Sequence, residues 1–244
     1  MRANASVVVE RVGHRDRCTE LISSPPLTLR STPDGLFLVA SGAGPIGGDV
    51  LAIDLTVETA ASATVRSAGA SLVMPGPTGA PSSMAVHARI GGGLRWLPEP
   101  TVLVRGCDHT TAARLELAAG ASLLWREEVV LGRHGEASGS LLQRLHVDVG
   151  GRPLLRNELP IGPRWRGADG PAGLDGAGAV GSLLGVGVPR PADPASIEGS
   201  RAAIADLSST AWLLTVVAED ARVLRRVLDV VSGQGQRHRP RSVR

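Results

Sequence analysis

The chain has 244 residues, 43% of them apolar and 20% charged, which is enough apolar material to close a sizeable core and excludes disorder as the default state. Its formal charge is +3, and all 26 basic residues are arginines. The absence of lysine excludes a Walker-type P-loop and a lysine Schiff base, so neither chemistry belongs to this chain.

With 31 Gly and 17 Pro, turns interrupt the regular elements often, as in a protein of many short strands. Four Trp, Phe37 and no Tyr leave few platforms for stacking bases, and the arginines are scattered until the Arg237 to Arg244 tail. Nucleic acid is therefore not an expected partner. The two cysteines, Cys18 and Cys107, lack CxxC spacing, which speaks against a disulfide framework or a thiolate zinc site and for a reduced compartment. Met1 to Ser6 is not followed by the apolar core of a signal peptide, and no stretch approaches the ~20 apolar residues that cross a bilayer. The expectation is a cytoplasmic protein without a membrane partner.

In chain order, Leu36 to Ala40 is an apolar strand followed by Gly42-Ala43-Gly44-Pro45-Ile46-Gly47, which satisfies GxGxxG. A dinucleotide site would require a helix at this point, whereas Gly48-Asp49 leads directly into an alternating segment. A glycine turn between strands is the expected structure. From Leu51 to Val65 the odd positions carry Leu51, Ile53, Leu55, Val57 and Val65, the period of a half-buried strand. Val86, Ala88, Ile90, Leu94, Trp96 and Val102 continue with even parity. Leu115 to Leu131 returns to odd parity, with one acidic member, Glu127, in the apolar series. Laying Gly92 to Leu103 on Gly120 to Leu131 matches glycines, Glu99 with Glu127 and Val102 with Val130, so a solenoid-like stack is expected, with a bulge near Gly91 to Gly93 absorbing the change of parity.

Leu141 to Val149 alternates again before the Gly150-Gly151 turn. These features define a β-rich body over 1–161. Residues 162–180 have loop composition. Residues 181–233 read as a small α/β portion packing on the body: a strand at Gly181 to Val188, a short helix at Ser196 to Leu207, a strand at Ala211 to Val217, then a helix capped by Asp220 and ended by Gly233. Residues 234–244 read as a disordered basic tail.

No Gly-x-Ser-x-Gly elbow or HExxH is present, and the six histidines read as surface or turn residues, so an enzyme is not expected. Glu127 has two readings. It either ends the buried segment or pairs with an arginine, or it aims a carboxylate at an internal channel or metal path. No dense His/Cys cluster supports a tight metal site.

Several segments together carry a resemblance. Gly44-Pro45-Ile46-Gly47-Gly48-Asp49-Val50-Leu51 resembles the glycine-rich GGD turn of the urease accessory protein family UreD/UreH, and Leu94 to Leu103 (LRWLPEPTVL) is similar to its Pro-Glu segment. Leu117 to Leu124 resembles its LxxGAxLL strand, Leu131 to Glu136 its GRxxGE turn, and Gly151 to Arg156 its GxPLxxE-like segment. Where the family carries Thr-Lys-x-Tyr, this chain reads Val65-Arg66-Ser67-Ala68-Gly69-Ala70. The resemblance implies a mainly β, β-helix-like body with a small C-terminal helical portion. It also implies a non-catalytic scaffold for nickel insertion into apo-urease, acting with a helical accessory protein (UreF type) and a nickel-binding GTPase (UreG type). Nickel would be in transit, with no tightly bound cofactor, and Asp49, Glu99 and Glu127 are the candidate nickel path or partner contacts. The alternative is a β-solenoid binding module or carbohydrate-active enzyme, which requires paired carboxylates in a groove or exposed aromatics.

Overall fold

The computed structural model describes residues 1–42, 44–194 and 197–232, and over these the fold is mainly β with one C-terminal helix. Two hairpins open the chain: β1 (Arg2–Val12) with β2 (Arg15–Ile22), and β3 (Leu27–Thr32) with β4 (Gly35–Ala40). Three passes of similar plan follow: β5 (Val50–Val57), β6 (Ser62–Ser67) and β7 (Ser71–Val73); β8 (Ser82–Ile90), β9 (Gly93–Leu97) and β10 (Thr101–Leu103); then β11 (Asp108–Leu117) and β12 (Ser122–Val130). The chain continues through β13 (Ser140–Val149), β14 (Arg152–Ile161), β15 (Ala179–Val186), β16 (Ser200–Ser208) and β17 (Ala211–Ala218) to α1 (Ala221–Ser232).

These strands form two sheets. One runs β14-β13-β11-β8-β5-β1-β2, parallel from β13 to β1 and antiparallel at both edges. The other runs β16-β17-β15-β12-β9-β6-β4-β3, parallel from β12 to β4, with β7, β10 and the end of β12 forming a short parallel ladder beside it. Period-two patterning fixes the register, because a slip of one residue would turn every apolar side chain outward. Val57 lies beside Ile90 and Ile90 beside Leu117, so the inner faces of successive passes coincide. Ile53, Leu55, Ala88, Leu115 and Val147 from the first sheet meet Val65, Leu94, Leu123 and Leu184 from the second in one buried core. Trp96 and Trp125 stack within it at 4.7 Å and 8°, worth about 1 kcal/mol beyond their burial.

The change of parity between copies does not arise at Gly91 to Gly93. There the passes come into contact: a Cβ on Gly92 would strike the Ala61 carbonyl oxygen, and one on Gly91 would stand 2.9 Å from the Thr59 nitrogen. Trp96 pairs with Trp125 at an offset of 29, whereas Val102 pairs with Val130 at 28. One additional residue therefore lies within Leu97 to Pro100, where Pro98 and Pro100 have no N–H to give a ladder. The Gly42 to Gly47 segment enters β5 through a turn, without a helix among its described residues. Gly47 has no room for a side chain because the Gly76 backbone and the Ala80 carbonyl occupy that space.

β15 pairs antiparallel with β12 and β17 with β15, extending the second sheet. The short helix expected at Ser196 to Leu207 is a strand over its described part: β16 pairs antiparallel with β17 from Ser200 to Ser208. Its alanine-rich composition suits a helix, but half-burying Ala202 and Ile204 on one face while β17 supplies the ladder overrides that weak propensity. α1 is capped as its sequence predicts, Asp220 Oδ1 accepting from the N–H groups of Arg222 and Val223 at 2.8 Å each. Val223, Leu224, Val227 and Leu228 bury its apolar stripe against Leu97, Leu124, Leu183 and Leu214. Gly233 and the basic tail lie outside the described residues. No described helix is long and apolar enough to cross a membrane.

Candidate functional site

A cavity of about 230 Å³ lies between the sheets. Period-two alternation brings side chains to it from four strands: His109 and Thr111 from β11, Trp125 and Glu127 from β12, Gln143 from β13 and Trp96 from β9. Exposed Ala40, Gly42, Gly69, Ala70 and Ser71 also line it, so it reaches from the core to the surface. Part of that rim, Ser67 to Ala70, falls in the segment where the sequence departs from the Thr-Lys-x-Tyr pattern.

Glu127 sits half-buried on the apolar face of β12 and lines the cavity. Burial pushes that carboxyl up to about 7, against the opposing pull of the Trp125 indole and the Gln143 side chain. At neutral pH it is poised between acid and carboxylate, able to exchange a proton for a cation. Burial drives His109 the other way, down to about 4, so the imidazole is neutral at pH 7. Its Nδ1 stands 2.8 Å from Ser82 Oγ, which fixes the ring. Thr111 Oγ1, on the cavity wall, is buried without a hydrogen-bond partner in the protein. A polar atom in that condition on a cavity wall has room to bind water.

Glu99 stands at the rim. Its N–H donates to Ser67 Oγ at 2.8 Å, and Oε2 lies 2.8 Å from Arg225 on α1. Behind it, Arg126 lies 2.6 Å from both Glu128 and Asp229, with Glu128 also 3.4 Å from Arg225. The structure thus gathers Glu99 and Glu127 at one cavity and leaves Asp49 outside its lining.

Asp49 instead holds the turn ahead of β5. Its Oδ2 accepts from the Ile46 N–H and its Oδ1 from the Met1 amino group, each at 2.9 Å. Gly44 and Pro45 of that turn line the cavity, so Asp49 supports the wall from behind. Burial raises its carboxyl, but the Ile46 N–H and the amino group outweigh it and leave it below the usual carboxylate range. A lowered folded value means that the contribution is complete above the unfolded value, 3.8, and is lost as pH falls through the folded one. Asp49→Ala is expected to cost about 2 kcal/mol at pH 7 in urea unfolding. The difference from the parent chain should narrow as pH falls below 3.8; equal midpoints at pH 7 would contradict it.

Among the described residues, no group of three or more His, Cys, Asp or Glu is placed to hold a metal ion. Burial pushes the Cys107 thiol up to about 11, so it is not a ready thiolate. Trp96, Trp125 and Trp212 are buried and Trp165 half-buried beneath Arg164, which leaves no fully exposed indole for a sugar ring.

Reading the sequence did not single out His109, Thr111, Trp125 or Gln143. The signal was available, since the parity of Leu115 and Leu117 extends back through Ala113 and Thr111 to His109, and that of Leu145 to Gln143.

The family described as UreD urease accessory protein matches residues 1–239. The chain belongs to the UreD family of urease accessory proteins. It is 38% identical to a UreD of Parafrankia sp. (strain EAN1pec), over 96% of this chain and 88% of that protein. It is 41% identical to UreD 3 of Streptomyces griseus, over 94% of this chain and 95% of that protein. With the UreD of Frankia casuarinae it shares 36% identity, over 94% of this chain and 81% of that protein. As a UreD-family member, the chain is an accessory protein of urease rather than an enzyme.

Proposed function

We propose that this chain is a cytoplasmic scaffold for nickel insertion into apo-urease, acting together with a helical UreF-type protein and a nickel-binding UreG-type GTPase, and that nickel ions pass through its cavity. The observation that carries the reading is Glu127, a carboxyl whose pKa burial raises to about 7, lining a cavity that reaches the surface within a UreD-family chain. Glu99 meets the ion at the rim, Glu127 accepts it inside, and Asp49 keeps the wall in shape. Weak, replaceable oxygen ligands suit passage, because a thiolate cage would retain the ion. Lacking any lysine, the chain leaves nucleotide hydrolysis to the GTPase partner.

The test is affinity capture of the tagged full chain from cells that express urease and its accessory proteins. Urease subunits and both partners should co-purify, and deleting the chain should abolish urease activation. Recovery without urease subunits, or full activation in the deletion strain, would overturn the reading.

A further inference from the structure

Between β9 and β12 the hydrogen-bond ladder of the second sheet has a gap. The ladder holds as far as Trp96 and Trp125 and resumes at Thr101 and Val129. Leu97 to Pro100 passes Arg126 to Glu128 without pairing, since Pro98 and Pro100 have no N–H to give and the stretch is one residue longer than its neighbour.

A second observation shows that the cavity enters this gap. Neighbouring residues of a strand point to opposite faces, and Glu127 and Glu128 obey that rule. Glu127 faces the core, whereas Glu128 faces α1 and contacts Arg225. Both nevertheless line the same cavity, together with Pro98 and Glu99.

Over the gap lies Arg225. From α1 its Nη2 reaches Glu99 Oε2 on one side at 2.8 Å and Glu128 Oε1 on the other at 3.4 Å. We propose that Arg225 is a latch: bridging Glu99 and Glu128, it closes a side port of the cavity, and movement of α1 opens that port to small cations. Releasing the guanidinium frees the Glu99 carboxylate at the rim while Glu128 stays with Arg126, so the port becomes wider and more negative in the same step. The pair is light enough to open, since Arg225 and Glu99 keep 37% and 40% of their side chains exposed. Arg126 stays behind, bound to Glu128 and Asp229, so the floor of the port remains when the latch lifts. The idea rests on the cavity being a cation path, but its test needs neither urease nor nickel.

The full chain would carry Cys18→Ser to remove the half-buried thiol and Thr111→Cys to place a reporter in the cavity. A small trimethylammonium methanethiosulfonate would be the probe, with labelled sites assigned by mass spectrometry. Adding Arg225→Gln is expected to speed modification of the introduced thiol about tenfold, the effect of ~1.4 kcal/mol on the opening equilibrium. Arg222→Gln, at a side chain 91% exposed on the same helix, should leave the rate unchanged. An unchanged rate with Arg225→Gln would overturn the proposal. So would equal acceleration with Arg222→Gln, or labelling of buried Cys107 alongside the reporter, because either would mean general loosening. If the latch behaves as expected while Glu127 variants still activate urease fully, the transit reading fails and the port stands.

Discussion

Glu127→Gln is expected to lower urease activation in cells about tenfold while making the isolated protein more stable at pH 8. The two halves have one cause. Burial holds the Glu127 carboxyl near 7, whereas the same group in the unfolded chain titrates near 4.5. A raised folded value means that the folded state retains a proton that the unfolded state has released. Stability therefore falls as pH rises between about 4.5 and 7 and is level above that. Glutamine fills the same space without a charge to bury, so at pH 8 the variant should gain on the order of 2 kcal/mol in urea unfolding, and little at pH 4.5. On the proposed transit, an ion in the cavity loses a carboxylate positioned to replace its water, and a loss of ~1.4 kcal/mol there is tenfold in occupancy. Full activation by the variant would remove Glu127 from the path. A variant no more stable at pH 8 would show that the carboxyl is not held in its neutral form.

Much of this fold is legible in the sequence because strand periodicity is a local signal. Ile53, Leu55, Leu115 and Leu145 announce their faces without reference to the rest of the chain. What failed was information held by neighbours. Ser200 to Ser208 becomes a strand because β17 offers an edge, which no window around Ile204 contains. The additional residue at Leu97 to Pro100 was visible only as a parity mismatch, and its position needed the pairing partners on both sides.

The candidate site divides in the same way. Glu127 could be read as anomalous because it interrupts an apolar series, and Glu99 was found because the internal repeat places it opposite Glu127. Asp49 drew notice through its motif, yet the structure gives it a turn-holding position whose partners, Ile46 and Met1, no spacing rule would supply. The arginines were the least legible. Arg126 and Arg190 look alike in sequence, but one is buried beneath α1 and the other lies on the surface.

That difference should be measurable. Arg126 and Glu128 keep 4% and 1% of their side chains exposed, with Arg126 Nε 2.6 Å from Glu128 Oε1 and Nη1 2.6 Å from Asp229 Oδ1. Truncating Arg126 leaves a buried carboxylate whose remaining partner is Arg225 at 3.4 Å, so Arg126→Ala should cost about 3–5 kcal/mol in urea unfolding. Arg190→Ala, which breaks exposed pairs with Asp193 and Asp206, should cost less than about 1 kcal/mol. The buried pair is not a net source of stability. Arg126 Nη2 and Glu128 Oε2 lack hydrogen-bond partners, and Arg126 Nε faces its partner closely but without hydrogen-bond alignment. Removing both charges together as Arg126→Met with Glu128→Leu should therefore recover most of the loss, since Asp229 and Arg225 can still reach water. A single Arg126→Ala within about 1 kcal/mol of the parent would mean that water already solvates Glu128 beneath the helix. In that case α1 would sit over a wet seam rather than a closed ion pair.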